Sequence, residues 1–194
     1  MAASQIFKNG STWVRADFHL HTKADKEFSW TGDNNAFVTS YVQKLKESGI
    51  RVGVVVNHNK FDRDEFKLLR KKAFAEEIFL LPGVELSIKD GANGIHALVV
   101  FAEDWIDNKE NLDYINNFLS VAFAGQANYD TSNARSNHDL LETIRELDKF
   151  ERDIFLCLHM WNKKAVFGKN LVAGGLKNLG KMICLKQNAM LFRK

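Results

Sequence analysis

Short apolar runs alternate along the chain with longer stretches whose apolar residues recur at helical spacing. The short runs predict strands at residues 14–20, 51–56, 78–81, 96–101, 154–158 and 181–186, the third of them closed by Pro82 and Gly83. The longer stretches predict helices at residues 35–48, 62–77 and 108–124, then a polar loop at 125–135 and a fourth helix capped by Ser136 or Asn137. Because continuously apolar strands alternate with helices, we predict an α/β fold in which helices cover a parallel sheet, either open or closed into a barrel.

The length and composition are those of one domain. The 194 residues, 45% of them hydrophobic, are enough for a single domain with its own core. No apolar run approaches the roughly 20 residues that span a bilayer, and the first ten residues lack the apolar stretch of a signal peptide. Cys157 and Cys184 lie within apolar runs, which is typical of reduced, buried thiols. We therefore expect a cytoplasmic protein with no membrane partner.

The net charge of +3 is distributed unevenly. Residues 160–194 contain eight basic residues and no acidic one, so residues 1–159 are net negative. A run of this kind is usually a solvated terminus. The alternatives are a surface that meets phosphates, and a tail that is not folded as its parent protein would fold it.

Polar side chains with metal-binding chemistry lie at the ends of the predicted strands. Because side chains in a strand alternate between faces, His19 and His21 should project together, with Phe18 and Leu20 on the opposite face. Four further candidates sit at the ends of other strands: His58, Glu85, His96 and His159. Of these, His96 stands at the start of its strand, which is the less favourable end. In parallel α/β folds these ends converge, so the set predicts a divalent metal site.

Each of these residues also has a plainer explanation when it is taken alone. A single histidine at a strand end is more often a core or surface residue than a ligand, and Glu85 after a Pro-Gly turn could cap a helix. The combination is what favours a metal site. His138 begins an amphipathic helix and is predicted to be structural or solvent-exposed, while Cys157 is predicted to be a packed thiol.

The ordered set of motifs resembles that of the PHP (polymerase and histidinol phosphatase) superfamily. Asp17-Phe-His-Leu-His-Thr22 is similar to the first motif of that family. Asn57-His58-Asn59 is similar to the second, which more often reads Asp-His, and Pro82-Gly-Val-Glu85 to the third. The histidines of Ile95-His-Ala-Leu98 and Cys157-Leu-His159 match two more ligand positions. The resemblance covers about residues 11 to 160.

This resemblance implies a distorted (β/α)7-type barrel with two or three metal ions at its open mouth. His19 and His21 would bind one ion, Glu85 would bridge two, and His96 and His159 would complete the second. His58 would serve a third ion, together with an acid near Glu27, with Asp25 also close. The ions would be zinc, manganese or iron, and the sequence does not choose among them.

The chain departs from the family pattern after His159. The family has an Asp-x-His on a seventh strand, whereas no Asp or His follows His159 here. We therefore expect a barrel that is incomplete at its C-terminal side, with a weakened metal shell. An open strand edge of this kind favours either pairing with a second copy of the chain or a mobile tail.

The resemblance and the ligand set together indicate metal-dependent hydrolysis. Paired ions would acidify water and hold the oxygens of a phosphoester, so the expected substrates are phosphomonoesters, nucleotides or nucleic acid. The basic tail favours the last two. Two alternatives stay open: a catalytically impaired, metal-binding structural or regulatory module, and an amidohydrolase-type enzyme. Enzymes of the second kind commonly use a lysine bridge, where this chain has Glu85.

Overall fold

The computed structural model describes residues 13–90, 95–131 and 133–159. The predicted strand at 181–186 and the basic tail lie outside these residues, as does the side chain of His159. Five strands are described: β1 (Arg15–Leu20), β2 (Ile50–His58), β3 (Phe79–Ile88), β4 (Ile95–Phe101) and β5 (Ile154–His159). Four α-helices accompany them: α1 (Phe37–Glu47), α2 (Arg63–Ala75), α3 (Tyr114–Ala122) and α4 (Leu140–Asp148). The predicted alternation of strands and helices is therefore confirmed over this part of the chain.

The strands form one sheet in the order β1-β2-β3-β4-β5. The prediction of parallel pairing is confirmed for β1, β2 and β3 and is wrong for β4, which runs antiparallel to both β3 and β5. The reason is the length of the connection. Only residues 89–94 separate β3 from β4, whereas a parallel crossover needs a dozen residues or more.

Strand β3 does not stop at Pro82 and Gly83, as the sequence suggested, but continues to Ile88. Gly83 is needed there for close packing. A Cβ at this position would lie 2.7 Å from a methyl of Val56 and 2.8 Å from a methyl of Val54. The Pro-Gly pair therefore lies inside a central strand, and Glu85 is a strand residue paired with His58.

Each face of the sheet carries its own apolar cluster. The outer face packs against the helices, with Leu80, Val84 and Leu86 fully buried there. The inner face carries a smaller cluster of Val54, Val56, Leu98 and Val100, against which Phe18, Leu81, Phe155 and Cys157 pack. The two edge strands approach each other across this face, since the ring centroids of Phe18 and Phe155 are 6.3 Å apart. The described sheet is thus curled into a half-barrel.

Two local expectations are corrected by this packing. Phe18 and Leu20 do not share a face, because Phe18 joins the inner cluster and Leu20 the outer one. The pairing of β1 with β2 shifts between Asp17 and Leu20, and such an irregularity re-aims the side chains that follow it.

The second correction concerns the start of α4, which is capped by Asp139 and not by Ser136 or Asn137. The Asp139 carboxylate accepts from the Glu142 N–H, and the Glu142 carboxylate accepts from the Asp139 N–H, which completes a capping box. Among the described residues, the longest helix is α2 with 13 residues, and none has the length and apolarity of a membrane span.

Candidate metal centre

The candidate ligands meet at one end of the curled sheet. His19, His58 and Glu85 lie at or near the carboxyl ends of β1, β2 and β3, and His21 directly follows β1. His96 reaches the same end because β4 is antiparallel, so the beginning of that strand lies beside the ends of the others. In a parallel sheet, the position of His96 at the start of its strand would keep it away from the other ligands. In this antiparallel strand, the same position brings it into the cluster.

Glu85 is the centre of this cluster. Its side chain is 4% exposed, and its two carboxylate oxygens face different imidazoles. Oε1 lies 2.7 Å from His96 Nδ1, and Oε2 lies 2.7 Å from His19 Nε2. The Nε2 atoms of His21 and His58 are 3.5 and 3.4 Å from Oε2. One buried carboxylate therefore joins four histidines from three separate parts of the chain.

Asp25 lies on the other side of the His21 and His58 rings. These rings stack with centroids 4.8 Å apart, and the Nδ1 atom of each lies 2.9 Å from Asp25 Oδ2. The backbone N–H groups of His58 and Glu27 also donate to the Asp25 carboxylate. Each ring can therefore present one nitrogen to a metal ion while the other is hydrogen bonded to a carboxylate, which is the usual surrounding of a ligating histidine.

The cluster shifts the proton affinities of its own members. Burial opposes the charged form of Glu85, but the hydrogen bonds from His19 and His96 outweigh it and hold the pKa of Glu85 well below its usual range. The hydrogen bond to Glu85 raises the pKa of His19 against the opposing effect of burial. Burial likewise opposes the charge of Asp25, yet the N–H groups of His58 and Glu27 lower its pKa. Both carboxylates are consequently ionised at neutral pH, as metal ligands need to be.

The donor geometry fits divalent metal ions. Three overlapping groups each have their ligand atoms within 4.8 Å of one another: His19, His21 and Glu85; His21, Asp25 and His58; His58, Glu85 and His96. Donor atoms bound tetrahedrally at zinc-ligand distances lie roughly 3.3 Å apart, close to the separations of His21 and His58 from Glu85. The two 2.7 Å contacts of Glu85 are direct hydrogen bonds and would lengthen around an ion.

The remaining candidates are placed differently. His159 ends β5 and pairs with His96, which sets its backbone beside the cluster. Of the two acids expected near the third site, Asp25 joins the cluster, while Glu27 is exposed and donates its backbone N–H to the Asp25 carboxylate.

Two residues that were not predicted to be ligands lie outside the candidate groups. His138 is partly buried just before α4 and belongs to none of the three groups. Cys157 packs against the inner apolar cluster, as expected of a packed thiol.

Sequence reasoning missed the residues that hold the cluster in place. Tyr41 on α1 donates from its hydroxyl to the backbone oxygen of His21 at 2.9 Å. Asn59, with a positive φ of 50°, donates its backbone N–H to the backbone oxygen of Glu85, and its side-chain oxygen accepts from the Ser87 N–H. The Asn59 amide also donates to the backbone oxygens of Tyr129 and Thr131. The sequence does carry a signal for the turn at Asn59, because an asparagine directly after a strand often adopts the left-handed backbone conformation.

No family model matches the chain, and no curated protein matches it. The solved structures that it is similar to include two of predicted metal-dependent phosphoesterases. The first is a two-domain protein from Bacteroides vulgatus that contains a predicted PHP-like metal-dependent phosphoesterase, at 20% identity and a TM-score of 0.45, over 76% of this chain and 35% of that one. The second, from Bifidobacterium adolescentis, has 11% identity and a TM-score of 0.45, over 74% of this chain and 65% of that one. The chain thus spans about a third of the length of the first and slightly less than two thirds of the second.

Proposed function

We propose that this chain is a metal-dependent hydrolase of phosphoesters, with His19, His21, His58, Glu85, His96 and His159 as the metal ligands. The observation that carries the proposal is the Glu85 carboxylate, which is buried and faces imidazoles with both of its oxygens. A buried carboxylate among several histidines is suited to bridging two divalent ions. Two or three ions of zinc, manganese or iron are consistent with the donor atoms.

The chain's own residues would prepare this site in three ways. Glu85 supplies the negative charge that two cations need in a buried place. Asp25 orients the rings of His21 and His58 through their Nδ1 atoms, so that both Nε2 atoms face Glu85. The apolar inner face beneath the cluster limits the water that can approach from that side. Divalent ions in such a site supply an acidified water nucleophile and stabilise the charge that develops on a phosphoryl group.

Two lysines beside the cluster favour an anionic substrate. Lys26 follows Asp25 directly, and Lys60 comes two residues after His58. Both point toward Asp130, at 2.6 Å for Lys26 and 4.0 Å for Lys60. Two cations that share one partner leave positive charge for a phosphate, which supports a phosphoester over an uncharged amide. The basic residues of 160–194 extend the proposal to nucleotides or nucleic acid as substrates.

Chelator-sensitive hydrolysis tests this function. We expect metal-loaded protein to hydrolyse mono- and bis-(p-nitrophenyl) phosphate, to lose turnover with a chelator, and to regain it with zinc or manganese. His19→Ala should abolish turnover, whereas His138→Ala, which changes a histidine outside the cluster, should retain it. Metal binding without turnover on either substrate would contradict the proposed enzymatic activity and favour a structural or regulatory module.

A further inference from the structure

A short backbone segment is fixed beside the cluster by Asn59, which directly follows β2 and is fully buried. Its backbone N–H donates to the backbone oxygen of Glu85 at 2.9 Å. Its side-chain NH2 group donates to the backbone oxygens of Tyr129 at 3.0 Å and Thr131 at 2.8 Å, the residues on either side of Asp130. The backbone that carries Asp130 is therefore tied, through one buried amide, to the strand that carries the central ligand.

The Asp130 side chain lies between two lysines that are neighbours of cluster residues in the sequence. Lys26 directly follows Asp25, and its Nζ atom lies 2.6 Å from Asp130 Oδ1. Lys60 directly follows Asn59, and its Nζ atom lies 4.0 Å from Asp130 Oδ2. Both lysines are partly exposed and so remain accessible to a ligand. The hydrogen bond from Lys26 lowers the pKa of Asp130, so the three side chains together carry one positive charge at neutral pH.

The fixed backbone distinguishes Asp130 from an ordinary surface acid. A loose, exposed ion pair contributes little, because both side chains lose freedom when they pair. Here the carboxylate extends from a segment that Asn59 holds on both sides. The ring of Tyr129 also stacks on that of Phe123, which is buried, with centroids 4.5 Å apart. The negative charge of Asp130 consequently has a defined place beside the two lysines.

We propose that Asp130 is a specificity-determining residue, which shifts the site toward singly charged phosphodiesters and away from doubly charged phosphomonoesters. The choice of phosphoesters as ligands rests on the proposed function. The repulsion between a fixed carboxylate and a bound phosphate is proportional to the charge of the phosphate. A phosphomonoester carries nearly two negative charges at pH 7 and above, whereas a diester carries one. Asp130 therefore weakens the binding of a monoester more than that of a diester.

The test compares p-nitrophenyl phosphate with bis-(p-nitrophenyl) phosphate at about pH 8, well above the second pKa of a phosphomonoester, which is about 6. We expect Asp130→Asn to lower the KM of the diester about twofold and that of the monoester about fourfold, because the change for a dianion is the square of that for a monoanion. The kcat should stay the same for both. Because each ester is compared with itself across variants, the difference in their size does not affect the result.

Two further variants separate selection by Asp130 from a general effect of charge. Glu47→Gln removes an exposed acid that pairs with Lys44 on α1 and changes the net charge by the same amount, so it should leave both KM values unchanged. Asp130→Glu retains the charge and should retain the wild-type ratio of the two KM values. Equal changes for the two esters in Asp130→Asn, or a selective change in Glu47→Gln, would overturn the proposal.

The same two esters distinguish a failure of this proposal from a failure of the proposed function. If zinc-loaded protein hydrolyses neither ester, the proposed function fails, and both esters are then stable ligands whose dissociation constants can be measured by isothermal titration calorimetry. A larger gain in affinity for the monoester than for the diester in Asp130→Asn supports selection by charge. Equal gains, or a wild-type protein that binds neither ester, would show that Asp130 selects nothing.

Discussion

At the scale of single residues, Glu85 combines near-complete burial with a lowered pKa. A carboxylate loses much of its hydration when it is buried, and it stays ionised only if donors or cations replace the lost water. In this chain the replacement is a set of imidazoles on both of its oxygens. The same arrangement is suited to divalent cations, because a metal ion can compensate the charge of a buried carboxylate.

The first prediction follows from the two-sided position of Glu85. Glu85→Gln should remove more metal per chain than His96→Ala, because Glu85 belongs to two of the candidate ligand groups and His96 to one. The measurement is metal content by elemental analysis after loading with zinc and gel filtration. Equal losses in the two variants would show that Glu85 does not bridge.

The second prediction concerns the pH dependence of stability in metal-free protein. The raised pKa of His19 contributes stability that is present below about pH 6.5 and is lost as the pH rises through that pKa. The lowered pKa of Glu85 contributes stability that is present above about pH 4.3 and is lost as the pH falls through that pKa. Urea unfolding in the presence of chelator should therefore show this contribution at its greatest between about pH 4.5 and 6.5.

A substitution separates this contribution from the rest of the protein. His19→Gln should flatten the decline in stability above about pH 6.5, and His138→Gln, at a histidine outside the cluster, should leave the profile as it is. If the dependence of stability on pH is the same in His19→Gln as in the wild-type protein, the His19–Glu85 pair is not its cause.

At the scale of strands and helices, the sequence predicted which segments form elements but not how all of them pair. Strand spacing identified β1 to β5, and the position of polar residues at strand ends identified most of the cluster. The direction of β4 was missed, because an apolar run has the same pattern in either direction. The short connection at 89–94 carried the information, since a hairpin is the only pairing it allows between neighbouring strands.

The parts of the site that escaped prediction depend on contacts between distant residues. Asp25 lies four residues after His21, but its place between His21 and His58 depends on how the loop after β1 folds back on β2. The split of Phe18 and Leu20 between the two faces depends on the register shift in β1. Neither feature leaves a periodic signal in the sequence.

The third prediction tests the close packing within β3. Gly83→Ala should destabilise the protein by about 1–3 kcal/mol, because the added methyl group would overlap side-chain atoms of Val56 and Val54. Denaturant unfolding measures the change. An unchanged unfolding midpoint would show that the inner face has room at Gly83.

The fourth prediction concerns the loop that carries Asp130. Asn59 holds this loop through the backbone oxygens of Tyr129 and Thr131, which places Asp130 against Lys26. Asp130→Asn should release Lys26 and Lys60 and lower the KM for phosphoesters by up to about fivefold, the range of a partly exposed ion pair. Lys26→Gln should raise the KM with an unchanged kcat.

A matched control exists on α1, where Lys44 pairs with Glu47 away from the candidate ligands. Glu47→Gln removes the acid of a lysine pair in the same way as Asp130→Asn, and it should leave the KM unchanged. If both acid substitutions have the same effect on the KM, the effect comes from net charge and not from the lysines beside the cluster.

At the scale of the whole molecule, the two faces of the curled sheet have different roles. Its outer face and the helices supply the main apolar core, while its inner face carries a small apolar layer that ends at the histidine and carboxylate cluster. The strands supply rigid backbone positions for His19, His58, Glu85 and His96, and the loop after β1 supplies His21 and Asp25. Substitutions in the cluster should consequently affect metal binding more than folding.

The central claim is that this cluster is a metal centre, and anomalous diffraction from crystals of zinc-loaded protein tests it most directly. Data collected on either side of the zinc absorption edge locate the ions without reference to activity. We predict anomalous peaks at coordination distance from both oxygens of Glu85, one near His19 and His21 and another near His96. Fully loaded crystals with no peak at Glu85, or with peaks only away from the cluster, for example at His138, would contradict the account.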